Sequence, residues 1–560
     1  MRESLKRTRV NGFLRTEGTK IVNEAGEEIL LTGWGLGNYL LCEGYMWLAG
    51  PRMDRPRRIE EVVREVAGSE YAESFWKKYH ENYITEADIA RMAELGYNSV
   101  RIPINARLFL KEEPGLQWVD EGFLLLDRVI DFCEKHRVYA FIDLHGAPGG
   151  QTGSNIDDSI DNLPRLFTDP DFYEKGIALW KKLAERYRDR WIVGGYDLLN
   201  EPLRTARKQL PDGTPDPDDD MAKYLPLLQK FYEDCIAAIR TVDKRHILSL
   251  EGHHWASRPE CFDRPFDPET VIHFHRYACL PGSEIYADFL EKSRELNVPL
   301  WLGETGENYP EWYAGMYPLA LDLGIGFNIW PWKKLFAGPV RNNPYKIPTP
   351  ANWNKIIDYA KGGPKPSYAE AQAILDEFLE NMRFENCEFS EKVHASLFRR
   401  PGTTVRATDF DELPLPDGSL PYTFLPGHEN ETAYRKNTGA KLTQRFPDVE
   451  KAFSFDVMMM RYTLSLDAGE SVRYSFYDSS AENLLDVTGF FFPDSGFRIK
   501  LFRDGKPEAC AVNKYAFGAC EDPAPGQFSI AGLPIPAAER ITIEVEVLEG
   551  SIELEALTLK

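Results

Sequence analysis

From about residue 28 to residue 360, short apolar runs alternate with amphipathic stretches of helical length, the rhythm of a parallel sheet built from strand–helix repeats. Eight such runs recur: Glu28–Gly35, Ser99–Pro103, Val138–His145, Tyr196–Asn200, Ile247–Gly252, Val271–His275, Leu300–Glu304 and Gly326–Trp330. Most are continuously apolar, as strands buried on both faces are. Between them, Ile84–Leu95, Gly122–His136, Phe172–Tyr187, Tyr224–Thr241 and Ser283–Leu296 are expected to be helices. Eight repeats predict a closed (β/α)8 TIM barrel with enlarged loops better than an open doubly wound sheet, and neither GxGxxG nor GxxxxGK[ST] occurs.

Two segments exceed ordinary connections. Residues 43–80 follow the first strand with charged and aromatic side chains, and residues 204–220 follow the fourth and end in a run of Pro and Asp. Both fall at the C-terminal mouth of a barrel, where loops shape access. After Lys361-Gly-Gly-Pro-Lys-Pro366 the rhythm changes. One helix-like stretch, Tyr368–Met382, leads into alternating segments at Thr403–Ala407, Val472–Phe476, Phe497–Phe502, Ile541–Val547 and Ile552–Leu559. The expected division is a catalytic barrel over 1–365, a helical linker over 366–383 and a β-sandwich over 384–560.

Sixty-six basic against 88 acidic side chains give a net charge of −22, which repels phosphate backbones and anionic lipid and leaves a neutral small molecule as the expected partner. No apolar run is long enough to span a membrane, and the basic N-terminus is followed by no apolar segment, so the expected location is cytoplasmic. The eight cysteines lack CxxC pairing and suit free thiols in a reducing compartment, Cys510 with Cys520 being the one pair close enough in sequence to suggest a bridge. Oligomeric state is left open.

In a barrel, functional side chains belong at the C-terminal ends of the strands. Those ends carry Trp34, Asn38 and Glu43; Arg101; His145; Asn200 and Glu201; His253, His254 and Trp255; His275 and Tyr277; Glu304; and Trp330, Trp332 and Lys333. Any one of these has an ordinary structural explanation, such as a helix cap or a core tryptophan. Their convergence on one carboxylate-rich, aromatic mouth does not. Glu201 and Glu304 interrupt apolar strand ends, and glycoside hydrolysis needs such a pair: one carboxyl protonates the leaving oxygen, the other attacks or activates water. The acid must hold its proton near neutrality and the nucleophile must stay ionised, for which Arg101 is a candidate partner. His253-His254 and His273-x-His275 invite a metal, but the nearby acids have other roles and sugar hydrolysis needs none. No GxSxG elbow accompanies Asp143 and His145. No cofactor is expected.

The set Ser-Val-Arg101-Ile-Pro, Asp-Leu-His145-Gly, Asn200-Glu201-Pro202, His275-Arg-Tyr277, Gly-Glu304 and Trp330 resembles glycoside hydrolase family 5, over roughly residues 28 to 335. The resemblance implies a retaining double displacement, with Glu304 as nucleophile and Glu201 as acid and then base. It also implies that Asn200 binds the sugar 2-hydroxyl, that Arg101 and Tyr277 hold Glu304, that His145 and His275 shape the first subsite, and that Trp330 stacks on the sugar. Leu31-Thr-Gly-Trp-Gly-Leu-Gly-Asn-Tyr-Leu-Leu-Cys-Glu43 is similar to the exo-1,3-β-glucanase branch, in which a Glu here binds the terminal sugar. Exo action on a neutral β-glycoside is expected. An endo-acting relative, a galactoside, mannoside or furanoside specificity, transfer to another alcohol and a silent sugar-binding barrel are the alternatives. All 12 tryptophans fall at or before Trp353, so the sandwich is expected to buttress the barrel rather than grip polymer, although its closing strand resembles that of carbohydrate-binding modules.

Overall fold

Eight parallel strands close a barrel in chain order: β1 (Thr32–Gly35), β2 (Ser99–Asn105), β3 (Tyr139–Gly146), β4 (Val193–Asp197), β5 (Ile247–Glu251), β6 (Thr270–Arg276), β7 (Leu300–Gly306) and β8 (Gly326–Trp330). The ring is completed by β8 pairing with β1, Phe327 opposite Thr32. This is a computed structural model; it describes residues 5, 7–427, 432, 434–479, 481–507, 513–518 and 525–560, and Cys510 and Cys520 lie outside them. Each of the eight apolar runs overlaps a strand that is buried along nearly its whole length. Two are offset. β1 occupies only the last four residues of its run. β4 ends at Asp197, so Asn200 and Glu201 stand on the turn beyond it, with Glu201 at φ 42°. A left-handed backbone on a non-glycine residue is strain of the kind that collects at functional sites.

The five expected helices form, over Glu86–Glu94, Asp120–His136, Pro170–Tyr187, Leu225–Arg240 and Ala287–Leu296, the last preceded by a 3-10 turn at Ser283–Tyr286. The first starts at a Thr85–Asp88 capping box. The segment after β1 folds into two helices, α1 (Pro56–Ala67) and α2 (Ser69–Tyr83). Their apolar faces meet an aromatic cluster around Trp47, whose ring lies 5.7 Å from Tyr79 and 5.1 Å from Phe378.

Phe378 belongs to the helix Tyr368–Asn381, within the stretch expected to be a linker. That helix is instead part of the barrel's packing, as is the short helix Glu391–Leu397, whose His394 bonds Tyr97 at 2.8 Å. The sandwich proper begins at Thr403. One sheet holds Thr403–Arg406, Lys441–Gln444, Tyr462–Asp467, Asn483–Phe491, Gly526–Ile535 and Ser551–Leu559; the other holds Tyr422–Thr423, Ser471–Ser479, Ser495–Arg503, Lys506–Pro507, Asn513–Phe517 and Ala538–Glu549. Alternate residues such as Leu464, Leu466, Val472, Tyr474, Ile499, Val545 and Leu554 fill the space between. The strand Ser551–Leu559 is central, pairing with Thr403–Arg406, Tyr462–Asp467 and Asn483–Phe491. Arg399, just before the sandwich, fastens it to the barrel helix Pro310–Asp322: its Nε donates to the Ala314 carbonyl and its Nη2 to the Asp409 carbonyl, each at 2.7 Å. Among the described residues no helix is long and apolar enough to cross a membrane.

Candidate active site

Glu201 and Glu304 face each other at the C-terminal mouth, and an oxygen of each lies within 4.8 Å of the other and of a nitrogen of His275. Both carboxylates are buried at the floor of a cavity of about 840 Å³. Glu304 is held from two sides: Arg101 Nη1 donates to Oε2 at 2.5 Å and Tyr277 Oη donates to Oε1 at 2.8 Å. Glu201 is approached by His275 Nδ1 at 2.9 Å, and its backbone N–H donates to Glu251 Oε2 at 2.6 Å.

Beneath them lies a buried charge network that orders these contacts. The Arg101 guanidinium also donates to Asp197 and Glu251, each at 2.7 Å, and to Asn200 Oδ1 at 2.8 Å, and it lies 3.1 Å from Asp143. Burial disfavours the guanidinium's charge, but these carboxylates outweigh it and push its pKa well above the usual arginine range. Burial likewise opposes charge on His275; Glu251, Glu304 and Glu201 reverse the balance, so its imidazole stays protonated well above the ordinary histidine range. His273 goes the other way, desolvation driving it down to about 3. Its neutral ring bridges Asp197 at 3.1 Å and His275 at 3.1 Å, so a relay Asp197–His273–His275–Glu201 fixes the acidic side chain nearest the mouth. His145, also driven down to about 3 by burial, is a neutral ring with Nδ1 on Asp143 at 2.8 Å and Nε2 facing the Asn200 amide at 3.2 Å.

Trp330 completes the floor. Its ring stacks on His145 with centroids 5.1 Å apart, and its Nε1 donates to Tyr45 Oη at 2.9 Å. Gly35 and Gly37 make the space: a Cβ on either would run into the Trp330 ring. Glu43 lines the cavity nearby. Burial first, then Glu304, Glu307 and Glu201, raise its pKa well above the usual carboxylate range.

Of the side chains expected at the mouth, Glu43, His145, Glu201, Trp255, His275, Tyr277, Glu304 and Trp330 line the cavity. Arg101 and Asn200 lie immediately behind it, in contact with the residues that do. Trp332 does not belong there. It is buried against Trp34 with its Nε1 on Asp88 at 3.0 Å, because the chain past Trp330 reverses the face it presents. Lys333 follows it to Asp88. His254 stands aside, its Nε2 on Asp220 of the 204–220 loop at 2.9 Å. Residues missed by the sequence reading are Glu251 and Asp197, which end apolar strands and carried the same signal as Glu304; His273 was noted only as a metal candidate. Tyr45, Glu307 and Lys334 were also missed: Glu307 accepts from Tyr45 at 3.2 Å and pairs with Lys334.

Among the described residues three groups have metal-ligand spacing: Glu251–His273–His275, Glu201–His275–Glu304 and Asp143–Asp197–Glu251. In the last, Arg101 already supplies the positive charge, and protonated His275 belongs to the other two.

A (β/α)8 barrel with two carboxyl groups opposed across its C-terminal mouth is an architecture on which glycoside hydrolysis can be built. Residues 60–334 match the family model "Cellulase (glycosyl hydrolase family 5)", and the barrel is a domain of that family. Similar proteins include a β-xylosidase of Phanerodontia chrysosporium, 36% identical over 245 residues, covering 44% of this chain and 47% of that protein. A glucan 1,3-β-glucosidase of Candida oleophila is 33% identical over 226 residues, covering 38% and 48%. The chain spans about half the length of the curated relatives it matches. A solved structure titled endogalactoceramidase aligns over 97% of this chain and 99% of its own at 14% identity, with a TM-score of 0.44.

Proposed function

We propose that the protein is a retaining β-glycosidase acting on neutral β-glycosides by double displacement. The observation that carries this reading is the close pair Glu201–Glu304 with its asymmetric surroundings. Two carboxyls this near suit attack by one of them, whereas an inverting pair stands about 6.5–9.5 Å apart to admit water. Glu304, gripped by Arg101 and Tyr277, is aimed at the cavity and takes the role of nucleophile. Glu201 protonates the leaving oxygen and later removes a proton from water. The glycone rests against Trp330, an apolar face suited to sugar C–H groups, with Glu43 and His145 beside it; Asn200 reaches the 2-hydroxyl from behind.

Exo action is supported by the walls: Glu43, Tyr45 and Leu48 on one side and Lys334–Gly338 on another bound the cavity where an endo enzyme has an open cleft. Six cysteines, Cys42, Cys133, Cys235, Cys261, Cys279 and Cys387, are unpaired thiols, which supports a reducing, cytoplasmic setting. The test is a screen of aryl β-glycosides with the first-formed anomer identified by NMR, alongside Glu304→Ala. Retention and loss of turnover are expected. An inverted product, or unchanged turnover in the variant, overturns the reading.

A further inference from the structure

One wall of the cavity does not come from the barrel. Ala452, Phe453, Ser454 and Phe455, which lie between the sandwich strands Lys441–Gln444 and Tyr462–Asp467, reach over the mouth and line it. The Phe455 ring lies 4.8 Å from that of Tyr277, the residue that holds Glu304. Phe453 sits edge-on to Tyr309 at 5.0 Å. The segment is pinned to the loop that leaves β7: Asn308 Nδ2 donates to the Phe455 carbonyl at 3.4 Å, and Tyr309 Oη donates to Asp456 Oδ2 at 2.9 Å. Asp456 braces the segment from within by accepting from the Ala452 and Met458 backbone N–H groups at 3.0 and 2.6 Å. The wall is therefore fastened to the loop that follows the strand carrying the candidate nucleophile.

The cavity divides by chemistry and depth. Its carboxylates and imidazoles are buried, whereas the partly exposed upper walls carry the large apolar side chains Leu48, Ile156, Trp255, Phe336, Phe453 and Phe455, with the small polar Asn155, Ser257 and Ser454 and the rim arginines among them. The two arginines at the rim are engaged elsewhere, Arg207 with Ser154 and Arg276 with Asp288 and the Ile285 carbonyl. A volume of about 840 Å³ is large for a single sugar ring and lies high in the roughly 300–1,000 Å³ range of pockets that enclose drug-sized ligands. A second sugar outside the cleavage point would need hydrogen-bond partners around its ring; an aliphatic or aromatic group would need only this surface.

Resting on the glycosidase reading, we infer that Phe453 and Phe455 of the second domain form the site for an apolar aglycone, so that the preferred substrates are β-glycosides of long-chain, polycyclic or aryl alcohols rather than oligosaccharides. The sandwich is then a specificity element of the active site and not only a buttress.

The test compares methyl, hexyl and disaccharide β-glycosides of whichever glycone the aryl screen selects, in the full chain and in Phe453→Ala/Phe455→Ala and Phe455→Leu variants. The expected result is a kcat/KM for the hexyl glycoside at least tenfold above the methyl and above the disaccharide. In the double variant the hexyl-to-methyl ratio falls about tenfold, and Phe455→Leu, which keeps an apolar side chain, restores most of it. Calorimetric binding of the same glycosides to Glu304→Gln provides a readout that needs no turnover. If nothing is hydrolysed, the glycosidase reading fails while chain-length-dependent binding, lost in the double variant, still supports the apolar site. Equal affinity and turnover for methyl and hexyl glycosides, a preference for the disaccharide, or an unchanged ratio in the double variant overturns the inference.

Discussion

Tyr277→Phe isolates a single contact at the proposed nucleophile. The ring that packs on Phe455 at 4.8 Å is retained, and only the hydroxyl that donates to Glu304 Oε1 at 2.8 Å is removed, while Arg101 keeps its grip on Oε2. A hydrogen bond to a charged group contributes about 1.5–3 kcal/mol, or about 10- to 150-fold in rate where it forms fully in the transition state. Its weight differs between the two half-reactions. While the glycosyl-enzyme forms, Glu304 loses charge, so the hydroxyl stabilises the ground state at least as well as the transition state. While that ester is hydrolysed the carboxylate regains its charge, and the bond strengthens towards the transition state. With a dinitrophenyl β-glycoside, whose good leaving group makes ester hydrolysis limiting, kcat should fall by about 10- to 150-fold while kcat/KM falls much less. Pre-steady-state kinetics should show a burst of dinitrophenol larger than in the parent protein. A kcat within twofold of the parent, or equal falls in kcat and kcat/KM, would refute the assignment of Glu304 as a nucleophile steadied by Tyr277.

Two further predictions concern stability. Trp332→Phe removes the donor to Asp88 at 3.0 Å and should lower unfolding free energy by about 1.5–3 kcal/mol in urea titrations while leaving kcat/KM within twofold; a large loss of activity in a fully folded variant would put Trp332 back at the substrate. His394 is driven down to about 3 by burial and by Arg400 and Arg91. With the folded pKa below the unfolded value near 6.5, its stabilising contribution is complete above that value and is lost as pH falls towards 3. The loss is about 2 kcal/mol by pH 5. In His394→Gln the decline in unfolding free energy between pH 7 and pH 5 should be about 2 kcal/mol shallower; an unchanged slope would show that this ring is not held neutral.

The barrel was legible because a parallel strand buried on both faces is a continuous apolar run, and the polar residue that ends such a run stands out against it. Glu304, His145, His275 and Arg101 were found in that way, and Glu251 and Asp197 could have been. Trp332 misled because proximity in sequence to Trp330 does not fix direction once a strand has ended. The helix Tyr368–Asn381 misled because a Pro- and Gly-rich preface signals a turn but does not say what the next helix packs on; here it is Trp47, more than 300 residues earlier. Phe453 and Phe455 carried no signal at all. Nothing local marks two aromatics in a loop as part of a site whose other members lie in a different domain.

The central position of Ser551–Leu559 sets an order of assembly during synthesis. The ring of barrel strands has all its members once Trp330 has been made, but the sheet that carries Lys441–Gln444 and Tyr462–Asp467, and so the loop between them, lacks its middle strand until more than 200 further residues have followed. At about 5–20 residues per second this interval is roughly 10–45 s. During it a nascent chain can hold both glutamates in place in front of a mouth with one wall missing.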